Sequence, residues 1–147
     1  ATAYPSGVKG TPVEVAESIT PLIFWKKEYR PDSGGAGRTR GGLGQTIELG
    51  SRIGRPFDLL AAFDRIDHPP RGFDGGQNGA AGVVALASGK KMKGKGFQTI
   101  PPDDRLVLLT PGGGGLGDPK ARDAAALAKD IAEGLVTPEG ASNYRDA

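Results

Sequence analysis

The 147-residue sequence contains no cysteine, one histidine, one methionine and one tryptophan. Without cysteine there is no disulfide, no thiolate ligand and no cysteine nucleophile. That pattern fits a reducing compartment and sets a cytoplasmic expectation. A zinc centre normally takes three or four protein ligands. His68, followed directly by Pro69 and Pro70, supplies one, with Asp64, Asp67 and Asp74 as the carboxylates around it. It is read as structural or incidental, and no metal site is assigned. The longest apolar run is far short of the ~20 residues that a membrane span needs. The opening ATAYPSGVKG has neither the basic nor the apolar region of a signal peptide. It also lacks an initiator methionine, so a processed or truncated chain is the expectation. Nineteen basic against 17 acidic side chains leave a net charge of +2. Such balance lacks the electrostatic footprint of a nucleic-acid binder. Lys90, Lys91, Lys93 and Lys95, interleaved with glycines, read as a solvated hairpin tip.

What the chain has in excess is glycine, 25 residues, with 12 prolines and no G-X-Y period. The glycine gathers in PDSGGAGRTRGGLG (residues 31–44) and PGGGGLGDP (residues 111–119). Glycine is needed where the backbone takes positive φ or approaches another group closely. Neither stretch is G-x-x-x-x-G-K-[ST], which excludes the phosphate-cradling P-loop. G-x-G-x-x-G-like spacings occur, but no helix follows to make a dinucleotide-binding βαβ unit. Ser33 lies in SGGAG rather than the G-x-S-x-G of a nucleophile elbow. Arg38 and Arg40 stand two apart, which in an extended segment puts both on one side. With Asp32 and Ser33 they are the candidate ligand- or substrate-binding residues, beside an anion nest of glycine amides. In the alternative reading the glycines serve tight packing and the arginines pair with Asp32 or Glu28.

Between these loops the pattern is mostly strand. Aromatic and β-branched enrichment marks residues 19–30, and alternation marks 45–51. In residues 56–66, Phe57, Leu59, Ala61 and Phe63 share one face, and prolines close both ends. Residues 67–78 form another irregular stretch. The run 80–88 reads as a fully buried strand, and 96–101 and 105–110 complete the set around a Pro-Pro-Asp-Asp turn. Asp123 as N-cap, Gly134 as C′ and apolar Ala124, Leu127, Ala128 and Ile131 place a helix over 124–133. Thr137-Pro138-Glu139 starts a short helical turn that runs out near Tyr144. Thr11-Pro12-Val13-Glu14 has the form of a capping box, competing with an extended reading through Val13 and Val15. The fold class expected is α+β and β-dominated: antiparallel strands, long glycine-rich loops and one C-terminal helix.

The run YPSG…TPVEV…YRPDSGGAGRTRGGLG, then KGxxxIPPDDRLVLLTPGGGGLGDP, then RD…DIAEGLVTPEGA, resembles the C-terminal part of the hydantoinase B/oxoprolinase family. The likeness extends to the related subunits of acetone and acetophenone carboxylases and runs nearly end to end. It rests on Glu14, Asp32, Ser33, Gly34, Gly35, Gly37, Arg38, Arg40, Gly41, Gly42, Gly112, Gly113, Gly114, Gly115 and Asp118. Leu116 departs from the aromatic residue common there. The resemblance implies that residues 1–147 are one C-terminal segment of a larger B-type subunit. An A-type partner would use ATP to phosphorylate a cyclic amide (hydantoin, oxoproline or a lactam), and the B-type subunit would complete its hydrolysis. ATP and a divalent metal are expected elsewhere in the assembly, and no cofactor in this chain. A ketone carboxylase subunit and a non-catalytic β-rich assembly module are the alternatives.

Overall fold

The computed structural model describes residues 10–144. It is strand-dominated: six strands, two α-helices and two short 3-10 helices. Strands β1 (Leu22–Tyr29), β2 (Gln45–Ser51), β4 (Val83–Leu86) and β6 (Arg105–Leu109) form an antiparallel sheet in the order β1-β2-β6-β4. Strands β3 (Phe57–Ala62) and β5 (Lys95–Ile100) pair antiparallel as a second, two-stranded sheet.

The two sheets share one apolar core. Leu49, Val84, Leu86, Ile100 and Leu106 are buried there, and Phe57, Leu59, Phe63 and Phe24 pack against them. The face shared by Phe57, Leu59 and buried Ala61 is therefore the core face of β3, whereas Leu60 stays exposed. β1 is half-buried at its start and exposed beyond. Its ladder slips between Phe24 and Lys26, and Glu17 on α1 (Val13–Ile19) accepts from the Phe24 amide at 2.7 Å. Trp25 lies at that slip, and the Arg105 guanidinium stands 5.2 Å from its ring centre.

Two expectations need correction. The C-terminal helix forms as α2 (Ala124–Ala132), and near Thr11 the short helix forms, as α1, rather than the extended reading that competed with it. The capping box at Thr11 does not form: Pro12 is the N-cap, with no side-chain cap, and the helix starts at Val13. Glu14 then falls one position short of the box. The run 80–88 is not a fully buried strand. Only 83–86 pair, at a sheet edge, with Val84 and Leu86 buried and their neighbours half-exposed. The other strands start and stop within a few residues of the sequence expectation, β2 at its bounds.

The C-terminal segment follows the sequence closely. The Asp123 carboxylate caps α2 through the Ala126 amide at 2.9 Å, and Gly134 takes φ +68° after it. A 3-10 helix runs over Gly140–Tyr144. This segment makes a second, smaller core in which Leu127, Val136, Ala141 and Tyr144 close on Ala36 of the first glycine-rich stretch. No helix among the described residues is long and apolar enough to cross a membrane.

Candidate functional site

The glycine-rich stretches meet. Residues 33–44, 70–80 and 111–117 run side by side, hydrogen-bonded amide to carbonyl but outside either sheet. Gly35 N donates to Gly113 O, Gln77 N to Ala36 O, Gly115 N to Gln77 O, Gly113 N to Gly42 O and Ala80 N to Ser33 O, all at 2.7–2.9 Å. The backbones lie too close for side chains. A Cβ on Gly34, Gly35, Gly41, Gly112, Gly114 or Gly115 would fall within about 2.1 Å of a neighbouring carbonyl oxygen. At Gly112 the distance is 1.7 Å, to Ser33 O, and at Gly37 it is 2.6 Å, to Leu116 N. None of these seven has positive φ, so the glycines serve close approach, not handedness. Gly113 is less pressed, at 3.1 Å, and Gly42 has nothing within 4 Å. The result is a bundle of backbones in which few side chains have room.

Those few that it carries are mostly engaged inward. Ser33 is fully buried; its hydroxyl donates to Arg30 O at 2.5 Å and accepts from the Gly44 amide at 2.9 Å, closing the loop at both ends. Asp32 takes φ +58°, a conformation that aspartate tolerates better than most residues. Its carboxylate accepts from the Thr137 amide at 2.9 Å and the Thr137 hydroxyl at 2.7 Å. Arg30 crosses beneath, donating to Ala81 O at 2.8 Å, and burial pushes its pKa down.

Arg40 turns toward α2. Its guanidinium grips Asp130 with two bonds, Nε to Oδ2 at 3.0 Å and Nη2 to Oδ1 at 3.2 Å, in the planar fork that arginine favours. Arg122 Nη2 binds the same Oδ2, and its Nη1 reaches Arg38 O at 3.4 Å. The side chains of Asp130 and Arg122 are each 10% exposed. The Arg122 guanidinium stands 5.6 Å from the centre of the buried Tyr144 ring, and its Nε has no partner. Burial pushes the Asp130 carboxyl up, but the bonds and charges of Arg40 and Arg122 outweigh it, so its pKa is held below the usual range. Burial raises that of Tyr144.

Arg38 goes the other way. It is exposed, and among the described residues its guanidinium has no hydrogen bond or ion pair. Its amide donates to Gly117 O at 3.2 Å and its side chain lies over Gly117, where a Cβ would stand 3.1 Å from Arg38 Cβ. The two arginines therefore do not share a side. Gly41 N donates to Gly35 O at 2.9 Å, so the chain loops between 35 and 41 and a period of two does not apply. Nor do they pair with Asp32, which holds Thr137, or with Glu28, which sits 3.7 Å from Lys26.

Asp130, Arg122, Thr137 and Tyr144 were not singled out from the sequence. One signal was there: Asp130 follows Leu127 by three residues and so shares the buried face of α2, where a carboxylate needs a partner. His68 is exposed, as are the four lysines between 90 and 95. Among the described residues no group of three or more histidine or carboxylate side chains is placed to hold a metal ion. A polar cleft of about 70 Å³ opens beside the bundle between Asp32, Gly35, Asn78, Asn143 and Tyr144.

This geometry has measurable consequences. Ser33→Ala strands the buried Gly44 amide, which costs about 1–3 kcal/mol in urea unfolding; a smaller loss would mean that the hydroxyl is not a loop clasp. Asp130 has a lower pKa folded than unfolded, so its stabilisation is present above about pH 4 and is lost as pH falls through the folded value. The acid limb of a melting-temperature profile is expected to flatten in Asp130→Asn. An unaltered limb would place the acid-sensitive group elsewhere.

A strand-dominated unit with a backbone-packed glycine bundle, fastened by a buried carboxylate between two arginines, defines the structural class. The family model described as hydantoinase B/oxoprolinase matches residues 1–119, and the chain belongs to that family. It is 35% identical over 118 residues to 5-oxoprolinase 1 of Arabidopsis thaliana, covering 78% of this chain and 9% of that protein. The crystal structure of an ATP-dependent caprolactamase from Pseudomonas jessenii superposes with a TM-score of 0.75 at 25% identity, covering 90% of this chain and 24% of that one. A nucleotide-free acetone carboxylase shares the fold, with a TM-score of 0.68, 22% identity and coverage of 91% of this chain and 22% of that one. The chain thus spans about a quarter of the caprolactamase and about a tenth of the oxoprolinase.

Proposed function

We propose that this chain is the C-terminal segment of a B-type subunit that, with an A-type ATP-using partner, hydrolyses a cyclic amide such as hydantoin, 5-oxoproline or a lactam. The single observation carrying this reading is the likeness, over 90% of the chain, to a caprolactamase that is itself ATP-dependent. The geometry favours a supporting role within that reaction. Three of the four candidate residues, Asp32, Ser33 and Arg40, spend their polar atoms holding the bundle together. Among the described residues there is no P-loop sequence and no cluster of metal-ligating side chains. In this reading ATP and a divalent ion are held by the remainder of a cytoplasmic assembly.

A second reading, a ketone carboxylase subunit, has the shared fold of acetone carboxylase in its favour. One experiment separates the two. The assembly containing this chain is given ATP with hydantoin, 5-oxoproline or caprolactam, and separately ATP with acetone and bicarbonate. Ring-opened product formed together with ADP supports the cyclic-amide reading. Carboxylated ketone with no ring opening would overturn it.

A further inference from the structure

Residues 118–144 are fastened to the rest of the chain at few points. Every hydrogen bond joining them to the other described residues ends on Asp32, Arg38 or Arg40. Asp32 accepts from the Thr137 amide and hydroxyl, and its own amide donates to Leu135 O at 3.1 Å. Arg40 grips Asp130, and Arg122 reaches Arg38 O at 3.4 Å. No residue of the segment belongs to a strand or to the larger core. Its own core is Leu127, Val136, Ala141 and Tyr144, with Ala36 as the buried residue drawn from outside. Just before it stands Gly117 at φ +74°, which glycine adopts without strain.

We propose that residues 118–144 form a strap, latched by Asp130, that opens as a unit from the glycine bundle while both sheets stay folded. Proteins open locally in contiguous cooperative units at free energies below that of global unfolding. Opening here breaks no strand pairing and leaves the larger core closed. It exposes only the smaller core and the ion triad. Asp130, Arg40 and Arg122 regain hydration as they separate, which offsets much of the attraction lost between them. Water also reaches Arg122 Nε, which has no partner in the closed form. Gly117 is the joint, a single loop residue able to absorb the backbone rotation. The device bears directly on the candidate site. The closed strap engages both carboxylate oxygens of Asp32 and the guanidinium fork of Arg40. Only the open form releases them to meet a ligand. Ser33 is indifferent to the strap, because its bonds run to Arg30 and Gly44.

Amide hydrogen exchange of the intact protein, read by mass spectrometry where exchange follows the opening equilibrium, tests this. Ile100→Val trims one methylene from the larger core. It should speed exchange of the β2 and β6 amides at least about twofold and leave the amides of residues 124–141 at their unaltered rate. Asp130→Asn should speed the amides of 124–132 and of 135–141 together, by a common factor of at least about ten. In the unaltered protein, low urea should accelerate the strap amides less steeply than the sheet amides, since strap opening exposes less surface. Strap and sheet amides that speed up alike in Ile100→Val would make the chain one cooperative unit and overturn the proposal. So would an Asp130→Asn effect confined to α2, which would reduce the opening to fraying of one helix. Should Asp130→Asn fail to fold, the Ile100→Val and urea results decide by themselves.

Discussion

Asp130→Ala is expected to destabilise the protein by about 3–5 kcal/mol, the range found when one partner of a buried ion pair is removed. The carboxylate bridges two guanidinium groups at once, and all three side chains are largely buried. Its loss leaves Arg40 and Arg122 facing each other with no anion between them. The same residue links α2 to the glycine bundle and, through Arg122, to the Arg38 carbonyl and the Tyr144 ring. The damage therefore spreads through the smaller core, where Ala36, Leu127 and Val136 meet. The melting temperature should fall by roughly 10 °C on the usual scaling for a domain of this size. A loss under about 1 kcal/mol would show that the triad is solvated and that apolar packing alone holds the segment.

Gly112→Ala should have the larger effect and prevent the native bundle from forming. A methyl group there would sit 1.7 Å from Ser33 O, and the obstacle is backbone, which cannot rotate away as a flexible side chain can. Relieving it means separating segment 111–117 from segment 33–44 and breaking the bonds that run between them. Gly42→Ala, with nothing within 4 Å of the added atom, is the matched control and should change stability by no more than about 0.5 kcal/mol. Circular dichroism and urea unfolding of the pair decide the point. Should Gly112→Ala melt close to the unaltered protein, the bundle is more loosely packed than its carbonyl contacts indicate.

These two outcomes concern features that the sequence revealed unequally. The strands were legible because alternation and turn residues report on one local chain: Phe57, Leu59 and Ala61 alternate, and they line the core. The caps of α2 were legible for the same reason, since Asp123 and Gly134 act within one turn of their own helix. The bundle was not. Dense glycine announced either positive φ or close approach, and only the neighbouring segment, some 70 residues away, decides between them. Gly42 and Gly112 look alike in sequence and differ wholly in surroundings. The fate of Arg40 was likewise hidden, because its partner lies 90 residues further on. An extended segment would have set Arg38 and Arg40 together; the loop closed by Gly41 N and Gly35 O sends them apart. Where the sequence misled, at Thr11 and in residues 80–88, the errors were of one residue in a cap and of an edge taken for a centre.

In the proposed reading this chain supports a reaction whose chemistry is completed by other polypeptide. The most direct test is to assay the isolated chain with ATP and hydantoin, 5-oxoproline or caprolactam, then repeat the assay with the rest of the assembly added. No ring opening by the chain alone, and ATP-coupled opening once the remaining polypeptide is present, is the expected pair of results. Sustained ATP-dependent turnover by the isolated chain would contradict it.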